Sequence, residues 1–365
     1  MYEGRTCDIV ICLFRDEVMP MQKPSLLKCG DTIAVVALSE APAFQFPIVY
    51  EWGKEQLEKE LQLKLIAAPH ALMDDGFLKS HPKLRAADLH WALENPEVKA
   101  IIAMTGGSDS IRNLPHIDLN IIRNNPKVFL GNSDTTVMHF CFQKAAVVSF
   151  LGPALLTGFA EPGGVHAYLL DSLQKLLFFP TPAGTIAPNI GGRTAEFIPW
   201  GQDRQRLLVP RKTKTVPSWR FLGSKSVAQG EIIGGCFEAL LMINGTNLWP
   251  ELENWQGKIL ALELGDPTSH PSIFEWGMRS FAAQGILDRI SGILVGGLMN
   301  KWGDDERDLV GKIILKILTE RGRDIPLVTE MDFGHVTPFF TLPLGVKGEI
   351  NSEEQSFSII EGAVV

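Results

Sequence analysis

Cysteine is scarce in this 365-residue chain, and its five cysteines stand far apart. No C-x-x-C pair occurs and the number of cysteines is odd, which argues against a disulfide framework and against a structural zinc site. Reduced thiols are therefore expected, as in a cytoplasmic protein. The cysteines are Cys7, Cys12, Cys29, Cys141 and Cys236.

The chain also lacks long apolar runs, internal repeats and low-complexity tracts. No run reaches the length of a transmembrane helix, and the N-terminal stretch has early acids and no small-residue cleavage site, so it does not resemble a signal peptide. Basic residues are outnumbered, with a net charge of −8. We therefore expect neither a nucleic-acid polymer nor a membrane as partner.

The composition is that of a globular protein, with 45% hydrophobic and 21% charged residues, and the length suits two domains. We predict an N-terminal extension at 1–22, because Met19 and Met21 precede a clear domain start. An α/β domain at 23–179, a connecting loop at 180–222 and a second, smaller α/β domain at 223–365 follow.

Both predicted domains alternate short apolar strands with helical patterns. This alternation indicates a Rossmann- or flavodoxin-like fold, with a mostly parallel sheet covered by helices on both faces. Strands are predicted at Asp31–Leu38, Leu63–Ala67, Val98–Met104, Val128–Leu130, Ala146–Phe150, Lys258–Leu262, Ile290–Val295 and Ile325–Glu330. Helices are predicted at Ile48–Leu63, Leu78–Glu94, Ile117–Asn124, Thr135–Ala146, Ile273–Gly285 and Asp304–Gly322.

One serine stands where an active site of such a sheet is expected. Strand Val128–Leu130 ends at Gly131, Ser133 follows, and a helix begins at once. A tight strand-to-helix turn exposes a hydroxyl and points the next backbone N–H groups toward it. The motif is weak alone, because Thr135 replaces the second glycine of G-x-S-x-G, and a serine that caps a helix is the alternative.

A serine nucleophile needs a base and an acid that orients the base. Glu263 directly follows strand Lys258–Leu262, and His335 follows strand Ile325–Glu330, so both are predicted at strand ends. The remaining histidines lie in helices or loops, where a structural or solvated role is the default. They are His70, His81, His90, His116, His139, His166 and His270.

Two backbone donors are predicted near Ser133. The N–H of Asp134 follows from the turn, and Gly106–Gly107, at the end of strand Val98–Met104, lets the backbone approach a ligand closely. A plain strand-ending turn is the alternative for the two glycines.

The segment 180–222 is rich in proline and glycine and too long for an ordinary connection. It carries Trp200 and Trp219 among several cations, including Arg204. Indoles stack on nucleobases and cations hold phosphate or carboxylate, so we expect these three residues and Gly106 to contact substrate. A solvated basic loop with packed tryptophans is the alternative.

These motifs, in their order from about 24 to about 350, resemble the S66 serine peptidases, which comprise the LD-carboxypeptidases and the MccF-like microcin self-immunity proteins. The resemblance implies that Ser133 is the nucleophile, His335 the general base and Glu263 its partner, with an oxyanion hole formed by the N–H groups of Gly107 and Asp134. It also implies a homodimer that needs neither a metal nor an organic cofactor. The family commonly has a tyrosine before the serine, whereas this chain has Asn132.

The MccF-like branch is favoured over the LD-carboxypeptidases. The latter usually read Gly-Gly-Asn-Leu where this chain has Gly234-Gly-Cys-Phe237, and Gly245–Pro250 resembles the MccF pattern. We therefore expect hydrolysis of aminoacyl or peptidyl conjugates that resemble nucleotides, such as processed microcin C. Release of terminal D-alanine from muropeptide tetrapeptides is the first alternative, and a non-catalytic homologue that binds a nucleotide or peptide is the second.

Overall fold

The computed structural model describes residues 20–194, 196–216, 218–265, 271–298 and 304–365. Most of the predicted extension at 1–22, together with Cys7, Cys12 and His270, lies outside these residues. The strands are β1 (Thr32–Val36), β2 (Lys64–Ala67), β3 (Val98–Ala103), β4 (Val128–Gly131), β5 (Ser149–Leu151), β6 (Gly184–Thr185), β7 (Arg193–Thr194), β8 (Thr213–Lys214), β9 (Arg220–Gly223), β10 (Val227–Cys236), β11 (Ile259–Glu263), β12 (Gly292–Gly296), β13 (Pro326–Met331), β14 (Leu342–Leu344), β15 (Lys347–Asn351) and β16 (Ser356–Ile359).

The helices alternate with the strands through most of the chain. They are α1 (Pro47–Leu61), α2 (Asp75–Lys79), α3 (Pro82–Glu94), α4 (Leu119–Asn124), α5 (Thr136–Lys144), α6 (Ala167–Leu177), α7 (Arg204–Leu207), α8 (Phe237–Ile243), α9 (Pro271–Ala283), α10 (Ile286–Arg289) and α11 (Asp304–Glu320). Proline occupies the first turn of α1 and α3, where its missing N–H costs no helical hydrogen bond. Within the described residues, no helix is both long and apolar enough to cross a membrane.

The first sheet has the order β14-β5-β4-β3-β1-β2. Its five strands from the first half of the chain are parallel to one another, whereas β14 pairs antiparallel with β5. Strand β4 is buried along its whole length, as are the last four residues of β3, which fits a sheet covered on both sides.

The second sheet has the order β6-β16-β15-β10-β11-β12-β13-β9. Strands β10 to β13 form a parallel centre, and antiparallel strands flank it on both sides. Buried apolar residues from both sheets form one contiguous core. The predicted α/β fold is confirmed, with a mainly parallel first sheet. The second sheet is mixed, because only its four central strands are parallel.

The structure changes several predicted boundaries. The helix predicted over Leu78–Glu94 is two helices, because Pro82 has no N–H and starts α3 anew. The strand predicted from Ala146 begins only at Ser149, after Ala146 adopts a left-handed φ of 57°. The segment 180–222 is less irregular than predicted, since it contains β6, β7, β8, α7 and most of β9.

The two sheets meet where α5 packs against β10. The Thr136 hydroxyl accepts the Cys236 N–H at 2.9 Å. A Cβ on Gly235 would lie 2.5 Å from the Thr136 oxygen, so only glycine allows this approach. This contact brings the start of α5 beside the carboxyl end of β11.

Candidate active site

Ser133 sits on a tight turn between β4 and α5. Asn132 is extended, with φ −146° and ψ −176°, and Ser133 then adopts a positive φ of 56°. The Thr135 hydroxyl donates to the Asn132 carbonyl at 2.7 Å, and a Cβ on Gly131 would come within 2.5 Å of that hydroxyl. A serine with positive φ costs about 1–3 kcal/mol, which the surrounding contacts must offset. The predicted strand-to-helix turn is present.

His335 and Glu263 lie beside this turn, although they come from the second sheet. The His335 Nε2 is 3.0 Å from the Ser133 Oγ. On the other side of the ring, Nδ1 is 3.6 Å from the Glu263 Oε2. Neither Nδ1 nor Oε2 has a hydrogen-bond partner among the described residues. The three predicted residues are therefore brought together in the order serine, histidine, carboxylate, with a long histidine–carboxylate contact.

Glu263 contacts both Ser133 and His335. Its Oε1 accepts the backbone N–H of Ser133 at 2.7 Å, and its side chain is fully buried. Burial raises the pKa of Glu263, while the charge of His335 and the Ser133 N–H oppose that shift. One carboxylate thus anchors the strained serine and faces the imidazole.

Glycines make room for both partners. A Cβ on Gly334, which has φ +80°, would lie 2.5 Å from the Glu263 Oε2. A Cβ on Gly265 would lie 3.2 Å from the His335 Cε1. The chain therefore closes tightly around the acid and the imidazole, which restricts their movement.

The Gly106–Gly107 turn lies against Ser133. A Cβ on Gly106 would be 2.8 Å from the Ser133 Cβ and 3.0 Å from its Oγ, and Gly107 has φ +142°. The Asp134 carboxylate ties this turn to the serine, because its Oδ2 accepts the N–H groups of Asp109 and Ser110 at 2.9 and 2.8 Å. The two backbone segments that carry the predicted donors are thus held together.

A cavity of about 470 Å³ opens above Ser133. Of the four residues predicted to contact substrate, Gly106 and Trp200 line it, together with Gly107 and His335. Trp200 stands edge-on to Phe46, with ring centroids 5.9 Å apart. Part of the cavity wall is therefore aromatic.

Two other residues predicted to contact substrate lie elsewhere. Trp219 is 7% exposed, donates its indole N–H to the Asp332 Oδ2 at 2.7 Å and is absent from the described cavity wall. Arg204 pairs with Glu55 at 2.5 Å, stacks over Trp52 and is likewise absent from that wall. Their positions give no support to substrate contact, because local packing and pairing already account for both.

The cavity wall also includes residues that were not among the four predicted substrate contacts. Arg206 and Arg211 belong to the predicted group of cations in segment 180–222, whereas Glu40 was missed. Arg211 clamps Glu161 with hydrogen bonds of 2.7 and 2.5 Å, and Arg206 pairs with Glu196. Glu40 lines the cavity four residues after the end of β1. Its position at a strand end was the one available signal, and the same edge of the sheet carries Gly106 and Ser133.

His139 belongs to the support of this site. Its Nε2 donates to the Gly131 carbonyl at 3.0 Å, and its Nδ1 is 2.9 Å from the Ser149 hydroxyl. Burial lowers the pKa of His139 to about 4, so the ring is neutral near pH 7. It ties α5 to β4 and β5 directly below the serine turn.

The fold and the arrangement of the site together define the class of this protein, which is an α/β serine hydrolase. A family model described as the LD-carboxypeptidase N-terminal domain matches residues 33–152, and one described as the LD-carboxypeptidase C-terminal domain matches 229–350. Together these models cover more than half of the chain. The chain belongs to the S66 peptidase family, which confirms the resemblance inferred from the motifs.

Relatives with two different names match the chain at similar identity and over similar shares of its length. The microcin C7 self-immunity protein MccF of Escherichia coli is 28% identical over 92% of this chain and 94% of its own length. A Bacillus subtilis protein named as a probable murein peptide carboxypeptidase is 29% identical over 94% of this chain and 95% of its own. A solved structure of MccF in complex with aspartyl sulfamoyl adenosine superimposes with a TM-score of 0.80 at 26% identity, covering 94% of this chain and 100% of that one.

Proposed function

We propose that the protein is a serine amide hydrolase of the MccF type, which cleaves aminoacyl or peptidyl conjugates resembling nucleotides, such as processed microcin C. The observation that carries the proposal is the 3.0 Å contact between the Ser133 Oγ and the His335 Nε2 at the floor of the cavity. That spacing suits transfer of the serine proton to the imidazole.

In the proposed reaction, the Ser133 oxygen attacks the carbonyl carbon and its proton passes to the His335 Nε2. The carbonyl oxygen becomes an oxyanion, which the N–H groups of Gly107 and Asp134 stabilise. The C–N bond then breaks as His335 returns the proton to the leaving nitrogen. Water attacks the acyl-serine ester in the same way, which releases the acid and restores Ser133.

Glu263 orients the imidazole in this scheme. Its Oε2 faces the Nδ1 of His335, and both atoms lack another partner among the described residues. A ring that gains a proton during the reaction draws closer to a buried carboxylate, since catalytic hydrogen bonds are often long before substrate binds. The carboxylate thereby stabilises the imidazolium.

The cavity wall supports a substrate with an aromatic part. Trp200 and the exposed Phe197 are among the residues that line the cavity. An indole stacks well on a purine, and about 470 Å³ is in the range of small-molecule sites. The MccF relative holds aspartyl sulfamoyl adenosine, which combines an aminoacyl group with a nucleoside.

The proposal includes a homodimer in the cytoplasm, as the family resemblance implies, and no metal or organic cofactor. Light scattering after size-exclusion chromatography measures the mass of the particle in solution. A mass near twice that of the chain supports the homodimer, and a mass of a single chain contradicts it.

The first test is mass spectrometry of an aminoacyl sulfamoyl adenosine and a muropeptide tetrapeptide, each incubated with the protein. We expect the wild type to release the amino acid from the adenosine conjugate and Ser133→Ala to lose this activity by at least about 10³-fold. Ser226→Ala, which removes an exposed serine hydroxyl on the loop before β10, is the matched control and should match the wild type.

The other outcomes are equally informative. Release of D-alanine from the tetrapeptide, with no turnover of the conjugate, moves the protein to LD-carboxypeptidase activity. A fluorophosphonate probe that fails to label Ser133 in the folded wild type contradicts catalysis itself and leaves the non-catalytic alternative.

A further inference from the structure

Glu40 places a carboxylate beside the predicted oxyanion hole. Its backbone N–H donates to the Gly106 carbonyl at 3.2 Å. A Cβ on Gly107 would lie 2.6 Å from the Glu40 Cγ and 3.0 Å from its carboxyl carbon. Since a C–C bond adds about 1.5 Å, this carboxyl carbon is within about 4.5 Å of the Gly107 Cα.

No neighbouring cation of the described chain contacts the Glu40 side chain directly, although the charge of Lys79 acts on it at longer range. Among the described residues, no hydrogen bond or ion pair holds its side chain, although it is partly buried and lines the cavity. The cations of the adjoining segments are already paired: Lys79 and Arg85 with Asp75, and Arg112 with Asp109. Glu161, another acid of the cavity wall, is neutralised by Arg211.

A lone carboxylate at this position opposes the proposed chemistry. A tetrahedral oxyanion at the Gly107 N–H develops negative charge close to Glu40, and like charges repel strongly in a partly dry site. The repulsion is removed when the substrate brings a cation to the same spot. An α-ammonium group does so, because covalent geometry holds it about 3 Å from the carbonyl oxygen of its own residue.

We propose that Glu40 binds the free α-ammonium group of the acyl residue and so restricts the enzyme to conjugates whose acyl part is a single, unblocked amino acid. This inference rests on the proposed function, since it assumes attack by Ser133 beside Gly107. It narrows that function from aminoacyl and peptidyl conjugates to aminoacyl conjugates alone, because an acyl residue inside a peptide has its α-nitrogen acylated and uncharged, and such a substrate leaves Glu40 unpaired.

The test compares three substrates: alanyl, N-acetylalanyl and propionyl sulfamoyl adenosine. They differ only in whether the α-ammonium is present, blocked or absent. For the wild type we expect kcat/KM for the alanyl compound to exceed that for the other two by at least about 10-fold. Glu40→Gln should lose most of this preference, and the propionyl compound should react as fast as with the wild type or faster.

Two further variants are controls for the proposed role of Glu40. Glu40→Asp keeps the charge and should retain part of the preference. Glu97→Gln removes one negative charge from an exposed turn before β3 and should leave all three rates unchanged. Circular dichroism melting confirms that each variant is folded.

Affinity measurements on an inactive variant test the role of Glu40 independently of the proposed catalytic function. Titration calorimetry on Ser133→Ala compares alanyl with propionyl sulfamoyl adenosine, and adding Glu40→Gln should weaken binding of the alanyl compound at least about 10-fold. If the ratio of the affinities for the alanyl and propionyl compounds is the same with and without Glu40→Gln, the role of Glu40 is overturned, whether or not the wild type hydrolyses these substrates. Failure of turnover with Ser133 still labelled by a fluorophosphonate points instead to a wrong substrate class.

Discussion

At the scale of single residues, the strained backbone of Ser133 is the clearest structural sign of a functional site. A serine with φ 56° is held there by its neighbours, through the Glu263 carboxylate on its N–H and the Gly106 turn packed against its Cβ. Strain of this kind persists only where the surroundings fix it, and it is concentrated at functional sites. The same contacts that impose the strain also aim the hydroxyl at His335.

Gly106→Ala tests that packing. The new Cβ would lie 2.8 Å from the Ser133 Cβ, so the serine must shift, and a displacement on the order of 1 Å costs about 10²-fold in rate. We expect kcat to fall by about that factor, with KM little changed, in steady-state assays of the substrate found active. Gly76→Ala, in helix α2, is the control and should keep wild-type rates. An unchanged kcat for Gly106→Ala would mean that Ser133 can shift without any loss of catalytic rate, which contradicts the packing argument.

Strand ends pointed to Ser133, Glu263, His335 and the glycine turn, because each lies at or just after the end of a parallel strand and parallel strands end at one edge of a sheet. Their catalytic roles came from the resemblance of the ordered motifs to the S66 family and stay predictions. Sequence reasoning missed Glu40, although Glu40 follows β1 at the same edge, because an isolated acid carries no motif. It also selected Trp219 and Arg204 by residue type alone. Their burial and pairing depend on Asp332 and Glu55, which lie far away in the sequence.

At the scale of elements, β10 joins the two halves of the site. It pairs in parallel with β11, and its last residues contact α5 through Thr136. Gly234 and Gly235 both have φ near +147° and lie against backbone or side chains on either side. The end of β10 therefore has to be glycine for the serine turn and Glu263 to approach each other.

Gly234→Ala should be severely destabilising. Its Cβ would lie 1.8 Å from the Ala261 carbonyl oxygen on β11, and that backbone cannot move without breaking the sheet. We expect a loss of about 3–5 kcal/mol in unfolding free energy by urea denaturation, or an insoluble protein. Gly245→Ala, at φ +83° with no atom within 4 Å of the new Cβ, should cost only about 1–2 kcal/mol. Equal losses for the two variants would contradict the steric argument.

The strongly apolar strands and most helices were predictable because periodicity and composition are local signals. The edges of the sheets were not. Strands β9 and β14 are three or four residues long and pair antiparallel with β13 and β5, which lie far from them in the sequence. Such pairings depend on the assembled fold, and no local pattern specifies them.

At the scale of the whole molecule, buried titratable groups couple stability to pH. His139 has a pKa of about 4 in the folded protein because burial disfavours its charged form, while an unfolded histidine titrates near 6.5. Between these two values the unfolded chain binds more protons. The contribution of His139 to stability is thus complete above about pH 6.5 and is lost as the pH falls toward 4.

Chemical denaturation at several pH values checks this expectation. The unfolding free energy should fall by up to about 3 kcal/mol between pH 7 and pH 4 on account of His139, at about 1.4 kcal/mol per pKa unit. His139→Gln should flatten that part of the profile, whereas His81→Gln, which alters an exposed histidine, should not. If His139→Gln leaves the slope unchanged, other buried groups cause the acid sensitivity.

The position of β14 in the first sheet limits where the chain can be cut and recombined with a relative. By sequence, β14 belongs to the C-terminal half, yet its hydrogen bonds complete the first sheet beside β5. The backbone of Val365 likewise pairs with Pro24 and Leu26. A chimera of two relatives that crosses over in the connecting segment therefore inherits a first sheet whose outer strand comes from the other parent. Recombination that respects the packing has to move β5 and β14 together, although almost two hundred residues of chain lie between them.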